Sequence, residues 1–554
     1  MSKIFRAKSA TKMKGSDLLA GATKAATYNM VLQLTIRVMT FLLNAFVLRF
    51  ISRDLLGVVN VRLMLLYSTT LFLAKEAFDR ACLSNIDKKN WRQVINLIWC
   101  SVPTAVVCSG ILGLIWVYWL DKPDPAVVPY YNIGVVCFAV STLIEVIAEP
   151  LWVVGQAFLF VRLKVILLGF SQAIKCFVTI LLVLCFPEWG LINFCIAQVL
   201  SVFCYVLMYY GYFVRYTTHA CKRDDDFPLQ SIKDFFPRHV QGESFIDNRL
   251  ASLTWSFFKQ SFLKQILTEG EKFVMTFLDV LSFADQGVYD VINNLGSMAA
   301  RFIFLPIEEN GYLFFSQSLT RGLPAKQQSA ESLAFCSQVL GVLLKVVTLI
   351  GSLILVFGYS FSFLALDLYG GSILSSGAGP MLLRWYCVYV LVIAVNGTTE
   401  GFVFAAMSKE EVDRYNKKML VFSVVFLLSS WLLTRQFGSV GFIIANCLNM
   451  LARIAHSIYF IVNYFKESHH KPLESFVSSF PVLVTLIASF FITYLSEITF
   501  CCNKGISGRI IHICVGGLCG LVVLLVIYRS EVSLVTFVKE QYRSRNKQHV
   551  QKHR

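Results

Sequence analysis

The sequence predicts an all-α polytopic membrane protein. About fourteen transmembrane helices form two pseudo-symmetric six-helix lobes around a central cavity, followed by two C-terminal helices. Three observations carry this. Of 554 residues 56% are hydrophobic and 15% charged, and mean hydropathy is +0.63, a balance foreign to soluble domains of this size. The apolar residues come in runs near the ~20 that cross a bilayer. And Val38-Met39-Thr40-Phe41-Leu42 recurs as Val274-Met275-Thr276-Phe277-Leu278, with Gln33 matching Glu269 and Gly57-Val58-Val59 echoed by Gly287-Val288-Tyr289.

Residues 1–25 are basic and polar with no apolar core, so they are expected to stay cytoplasmic while the first span, 26–50, serves as the targeting signal. Spans near 55–80, 94–119, 127–149, 159–185 and 189–213 complete a first lobe, 26–213. The stretch 214–258, with Asp224-Asp225-Asp226, Pro228 and Pro237, reads as a solvated cytoplasmic loop between lobes. The second lobe, 259–464, holds spans near 259–283, 288–318, 334–366, 380–407, 417–435 and 439–464; the third of these is long enough to be tilted or broken. Spans near 474–497 and 508–528 lie within 465–528, and 529–554 is a basic tail. Because the first and seventh spans run the same way, the repeat is parallel, about an axis along the membrane normal.

The net charge of +16 follows from this topology. With the N-terminus cytoplasmic, about 35 of the 50 Lys and Arg fall on that side and about six opposite, the asymmetry of basic cytoplasmic loops. Both termini are then cytoplasmic, and nucleic acid is not needed to explain the charge. Sixteen cysteines lie in apolar runs without a CxxC pair and read as small buried hydrophobes; vicinal pairing of Cys501 and Cys502 is geometrically awkward. No GxxxxGK[ST] occurs, so no nucleotide is expected to be hydrolysed, and no cofactor or metal is expected. His469-His470 lacks ligand partners, and Asn396-Gly397-Thr398 sits within a span, where no sugar is expected.

Function is carried by charge at membrane depth, which costs roughly 2.5–3.5 kcal/mol per residue and marks cavities and pathways. Gln265, Glu269, Lys272, Thr276 and Asp279 follow helical spacing as one stripe on one helix; Asn294, Arg301 and Glu308 form a second at heptad spacing. Asn29, Gln33, Arg37, Thr40 and Asn44 stripe the first span, and Arg62, Thr69 and Glu76 the second. Glu145 and Glu149, Gln172 and Lys175, and Asn396 and Glu400 sit a turn apart, and Asn446, Asn449, Arg453 and His456 stripe the twelfth span. Arg37, Lys272, Arg301 and Arg453 place cations from both lobes near the midplane. A guanidinium binds phosphate through a planar fork and never loses its charge. Glu76, Glu145, Glu149, Glu308 and Glu309 gather toward the cytoplasmic ends as a gate, or as interfacial pairs with Lys75, Arg80 and Arg162. The plainer alternative makes each charge half of a structural pair, Arg62 toward Glu76 and Arg301 onto Glu271.

Several stretches resemble the eukaryotic endoplasmic-reticulum family of dolichol-linked oligosaccharide translocation proteins: 57–83, 254–278 (TWSFFKQSFLKQILTEGEKFVMTFL), 285–309 (DQGVYDVINNLGSMAARFIFLPIEE), 364–371, 405–416 (AAMSKEEVDRYN) and 438–450. That family is similar to the multidrug, oligosaccharidyl-lipid and polysaccharide exporters. The resemblance implies alternating access to a dolichol-diphosphate heptasaccharide (Man5GlcNAc2-PP-dolichol) made for Asn-linked glycosylation, in a multi-pass endoplasmic-reticulum protein that is not an enzyme. It places the basic cavity positions on Arg37, Arg62, Arg301 and Arg453 only; Lys272 joins them on the reading of the residues alone. The residues agree in kind: amides such as Asn29, Gln33, Asn294 and Asn449 suit sugar hydroxyls, while Glu76, Glu271, Glu308 and Glu309 are candidate gating acids. Asp79 departs from the family, which often has a basic residue there. The partners implied are this glycolipid, membrane lipids and other proteins of the glycosylation pathway. A non-transporting scaffold of that pathway is the competing class. A cation-drug exporter sits poorly with the arginines, and a glycosyltransferase with the short luminal loops.

Overall fold

The computed structural model describes residues 38–39, 41–84, 90–158, 160–218, 227–239, 244–466, 468, 471–501, 505–532 and 534–536. Asn29, Gln33, Arg37, Asp224 to Asp226, His469-His470, Cys502 and most of the basic tail lie outside them. Among the described residues there is helix and no strand. Ten helices are long and apolar enough to cross a membrane, or eleven if the pair Tyr131–Val146 and Glu149–Ala157, bent by 44°, is one span.

In chain order the main helices are α1 (Arg53–Leu83), α2 (Trp91–Trp119), α3 (Tyr131–Val146), α4 (Glu149–Ala157), α5 (Val161–Cys185), α6 (Leu191–Thr218), α7 (Asn248–Thr268) and α8 (Gly270–Phe277). Next come α9 (Phe283–Ala299), α10 (Leu305–Ser318), α11 (Ala330–Gly370), α12 (Gly379–Ala406), α13 (Lys409–Phe437), α14 (Val440–Phe465), α15 (Phe480–Phe500) and α16 (Gly505–Ser530). The protein is an all-α polytopic membrane protein. Residues 421, 424, 425, 428 and 432 of α13 (Val, Val, Val, Leu, Leu) are all exposed at helical spacing. Such a stripe suits lipid and not water.

The chain divides into two compact units, Met1–Gly287 and Val288–Arg554. In the first, α7 packs along α1, and α6 packs on α3 and α5. Its core joins Leu151, Leu163, Tyr209, Phe213, Phe227 and Phe235. Phe227 and Phe235 belong to the stretch read from sequence as a solvated linker, and that expectation is corrected here. Asn96 is buried and needs partners; its amide donates to the Arg238 and Phe245 carbonyls at 2.9 and 2.8 Å and accepts from the Arg238 N–H at 2.9 Å. Trp99 Nε1 donates to the Phe235 carbonyl at 2.8 Å. The described part of the loop is stitched down.

In the second unit α12 is the hub, packed by α10, α11 and α14, with Phe315, Leu340, Phe402, Tyr415, Ile461 and Phe465 at the core. The span expected to be tilted or broken is one unbroken helix of 41 residues, α11. Thirteen described cysteines stand outside any disulfide. Cys501 is disulfide-bonded, so it does not fit the reading of the cysteines as plain buried hydrophobes.

Candidate functional site

Two sequence stripes change once the helices are built. The helix meant to carry Gln265 to Asp279 is broken at Glu269 (φ −100°, ψ 20°), where α7 ends and α8 begins. Gln265 and Thr276 are buried, and Asp279 lies past α8 at φ 43°, exposed. Lys272 turns back on its own segment, 3.4 Å from Glu269. These residues are not one stripe on one helix. The second stripe runs through α9 and α10, which a π-helical turn, Ala300–Phe304, separates. One extra residue in a turn rotates the next helix by roughly 100°. Arg301 and Glu308 therefore part company. Glu308 lays its carboxylate on Gly397 of α12, in the space that a methyl group there would take.

The first unit holds a cavity of about 530 Å³ lined by Asn44, Asn60, Lys164, Gln172, Lys175 and Thr179 among others. Arg62 is elsewhere and fully buried. Its guanidinium reaches Asp279 at 3.9 Å, not Glu76, and stacks on the Phe283 ring at 5.1 Å. None of its three side-chain nitrogens has a hydrogen-bond partner. Glu76 is taken by Arg80 at 2.8 Å. Lys75 stands 3.6 Å from Glu149 and 4.0 Å from Glu145, and Tyr67 donates to Glu145. Pro150 stands in the first turn of α4, after the bend, and Glu149 at the head of that helix is buried.

In the second unit the structure gathers Glu308, Asn396, Glu400, Tyr415 and Arg453. Arg453 donates to both oxygens of the Glu400 carboxylate, at 2.9 and 2.5 Å. Tyr415 donates to the same carboxylate, and the Asn396 amide donates to it at 3.1 Å. A bidentate pair of this kind is among the strong polar contacts, and it neutralises Arg453. Asn294 bonds back to Asp290 at 3.0 and 3.1 Å, and Asn449 keeps a buried carbonyl oxygen without a partner. Glu309 is exposed. Arg301 differs from the other described arginines of the proposed set: it is exposed, donates to Ser297 at 2.7 Å, and has no carboxylate partner among the described residues.

Sequence spacing found Glu400, Asn396 and Arg453 but not their union, because α12 and α14 meet only in the fold. Tyr415 carried no signal, and neither did Asn60, Lys164 or Thr179 as cavity wall. A turn of i,i+4 spacing shows one helix face, never the neighbour it meets.

This helical architecture is that of the transporter fold shared by a flippase and a drug exporter. The chain superposes on "Lipid II flippase MurJ, inward closed conformation" with a TM-score of 0.59 at 12% identity, covering 91% of this chain and 100% of that one. It superposes on an inward-facing multidrug resistance MATE family transporter with a TM-score of 0.51 at 12% identity, covering 79% and 99%. The family model described as "Rft protein" matches residues 21–541, and the chain belongs to that family. The Xenopus tropicalis "Man(5)GlcNAc(2)-PP-dolichol translocation protein RFT1" is 51% identical over 96% of this chain and 99% of its own length. The Mus musculus and Drosophila melanogaster proteins of the same name are 48% and 40% identical, over 96% and 82% of this chain and 98% and 87% of theirs.

Proposed function

We propose that the protein moves a dolichol-diphosphate oligosaccharide, Man5GlcNAc2-PP-dolichol, from the cytosolic to the luminal leaflet of the endoplasmic reticulum by alternating access, with both termini cytosolic. Membership in the Rft family supports the cargo, through relatives named for its translocation. The observation that carries the mechanism is Arg301, an exposed guanidinium tethered to Ser297 at a π-helical turn and left without a counter-ion among the described residues. An unpaired cation at that depth is expensive unless it meets an anion. A diphosphate is that anion, and a planar fork suits it. Arg37 and Lys272 add positive charge to the same task, and the amides of Asn29, Gln33, Asn294 and Asn449 face sugar hydroxyls. Arg453, already held by Glu400, serves when the carboxylate lets go. Glu308, beside Glu400 and Arg453, is the acid placed to drive that exchange; Glu76, Glu271 and Glu309 act as outer gating charges. Arg62, fully buried between Asp279 and the Phe283 ring, makes contact with the diphosphate only in a different conformation.

The test is translocation of the purified glycolipid in liposomes. Wild-type protein is expected to raise the rate over protein-free vesicles. No increase, with the protein folded and inserted, favours the scaffold role and overturns the transporter.

A further inference from the structure

The second unit has a cavity of about 520 Å³ at the basic end of α13, apart from the Glu400–Arg453 pair but sharing a wall with it. Its polar lining comes from Arg414 and Lys418 of α13 and from His456 and Asn463 of α14; Tyr415 forms the wall, and Tyr459 stands 70% exposed at the rim. We propose that this cavity binds a phosphate group, taken from an anionic lipid headgroup or from free phosphate. The idea stands independently of what the protein transports.

The lining is rich in donors and short of acceptors. Lys418 Nζ lies 3.2 Å from His456 Nε2. An ammonium has only donors, so Nε2 accepts and the ring proton sits on Nδ1. That Nδ1 has no hydrogen-bond partner. Arg414 contributes a five-donor fork and Asn463 an amide. The carboxylate in the lining is Glu411, one turn before Arg414 on α13 and committed to its helix cap: its Oε2 accepts from the Ser408 N–H at 2.9 Å, while Glu410, beside Arg414, lies outside the lining. Two cations and the Asn463 amide beside one engaged carboxylate leave room for an oxyanion. Charge-assisted bonds to phosphate oxygens are strong, and basic groups at the membrane surface hold anionic headgroups.

The cavity also has a route inward. Tyr415 packs its ring 4.8 Å from the His456 ring and donates its hydroxyl to Glu400, the carboxylate that holds Arg453. An anion drawing His456 and Lys418 toward itself acts on that pair through one side chain.

The experiment uses the full chain, delipidated in detergent and titrated by native mass spectrometry with phosphatidic acid, phosphatidylcholine or inorganic phosphate. Arg414→Ala with Lys418→Ala is expected to weaken phosphatidic acid binding about fivefold for each cation removed, leaving phosphatidylcholine binding and the unliganded melting temperature unchanged. If inorganic phosphate at the same concentration displaces the lipid, and its own binding falls equally in the variant, the natural source is free phosphate. If it does not displace it, the source is the headgroup. Equal binding of both phosphate probes by wild type and variant overturns the proposal. Should the double variant not fold, the exposed Arg414→Gln carries the same comparison.

Discussion

Arg453 and Arg301 stand at opposite ends of what a membrane arginine can do. The first is clasped bidentately by Glu400, with Tyr415 and Asn396 on the same carboxylate. Removing one member of such a partly buried pair strands the other, at a cost of about 3–5 kcal/mol. Glu400→Ala is therefore expected to lower the melting temperature sharply in detergent. Arg301→Ala, at an exposed site held by a serine alone, should stay within about 0.5 kcal/mol of wild type while glycolipid translocation is lost. Arg62 gives a third outcome. It is fully buried, hydrogen-bonded through none of its side-chain nitrogens, and 3.9 Å from a solvent-facing Asp279. Replacing poorly satisfied buried charge with an apolar side chain of similar volume is neutral or stabilising by about 1–4 kcal/mol. Arg62→Met should melt no lower than wild type; a large drop would mean that the guanidinium has a partner that geometry does not display.

At the scale of elements, the sequence carried the spans and missed their breaks. Runs of ~20 apolar residues fixed ten or eleven helices because hydropathy is additive along a chain. The first span lies mostly outside the described residues. The seventh and eighth are helical but too polar to pass on composition, which is why their charges drew attention. Spacing alone could not foresee the kink at Glu269 or the π-turn at Ala300–Phe304, since each depends on packing partners far along the chain. The glycine echo has a physical basis. A Cβ on Gly57 would strike the Phe283 carbonyl, and Gly287 meets the Gly57 backbone, so α1 and the start of α9 cross at contact distance. Gly57→Ala must push backbone from backbone, an overpacking cost of about 1–3 kcal/mol, readable as a lowered melting temperature.

The helix ends make a separate prediction. Glu531, just past α16, accepts from Lys345 Nζ and from the Ser479 N–H, both at 2.7 Å, tying α11, α15 and α16 together. Burial pushes its carboxyl up, but the Lys345 and Ser479 donors outweigh it, and the net shift is below the ordinary carboxylate range. A depressed pKa stabilises the fold fully above the unfolded value, ~4.3 for Glu, and that contribution is lost as pH falls through the lowered folded value. Glu531→Gln should thus melt below wild type at pH 7, with the gap narrowing under acid conditions below about pH 4.

For the whole molecule, the family and the fold both lead to a transporter-like frame, while the proposed activity rests on a cation left free to meet a diphosphate. Residue chemistry was legible in the sequence: every described cation of the proposed site was picked out as charge within an apolar run. Pairing was not, and pairing separates a structural guanidinium such as Arg453 from an available one such as Arg301. The most direct measurement is translocation of Man5GlcNAc2-PP-dolichol in liposomes carrying wild type, Arg301→Lys or Arg301→Glu, each checked for an unchanged melting temperature. Wild type should transport, the lysine variant should transport less, and the glutamate variant should not transport at all. Undiminished transport by a folded Arg301→Glu protein would contradict the proposed role of Arg301.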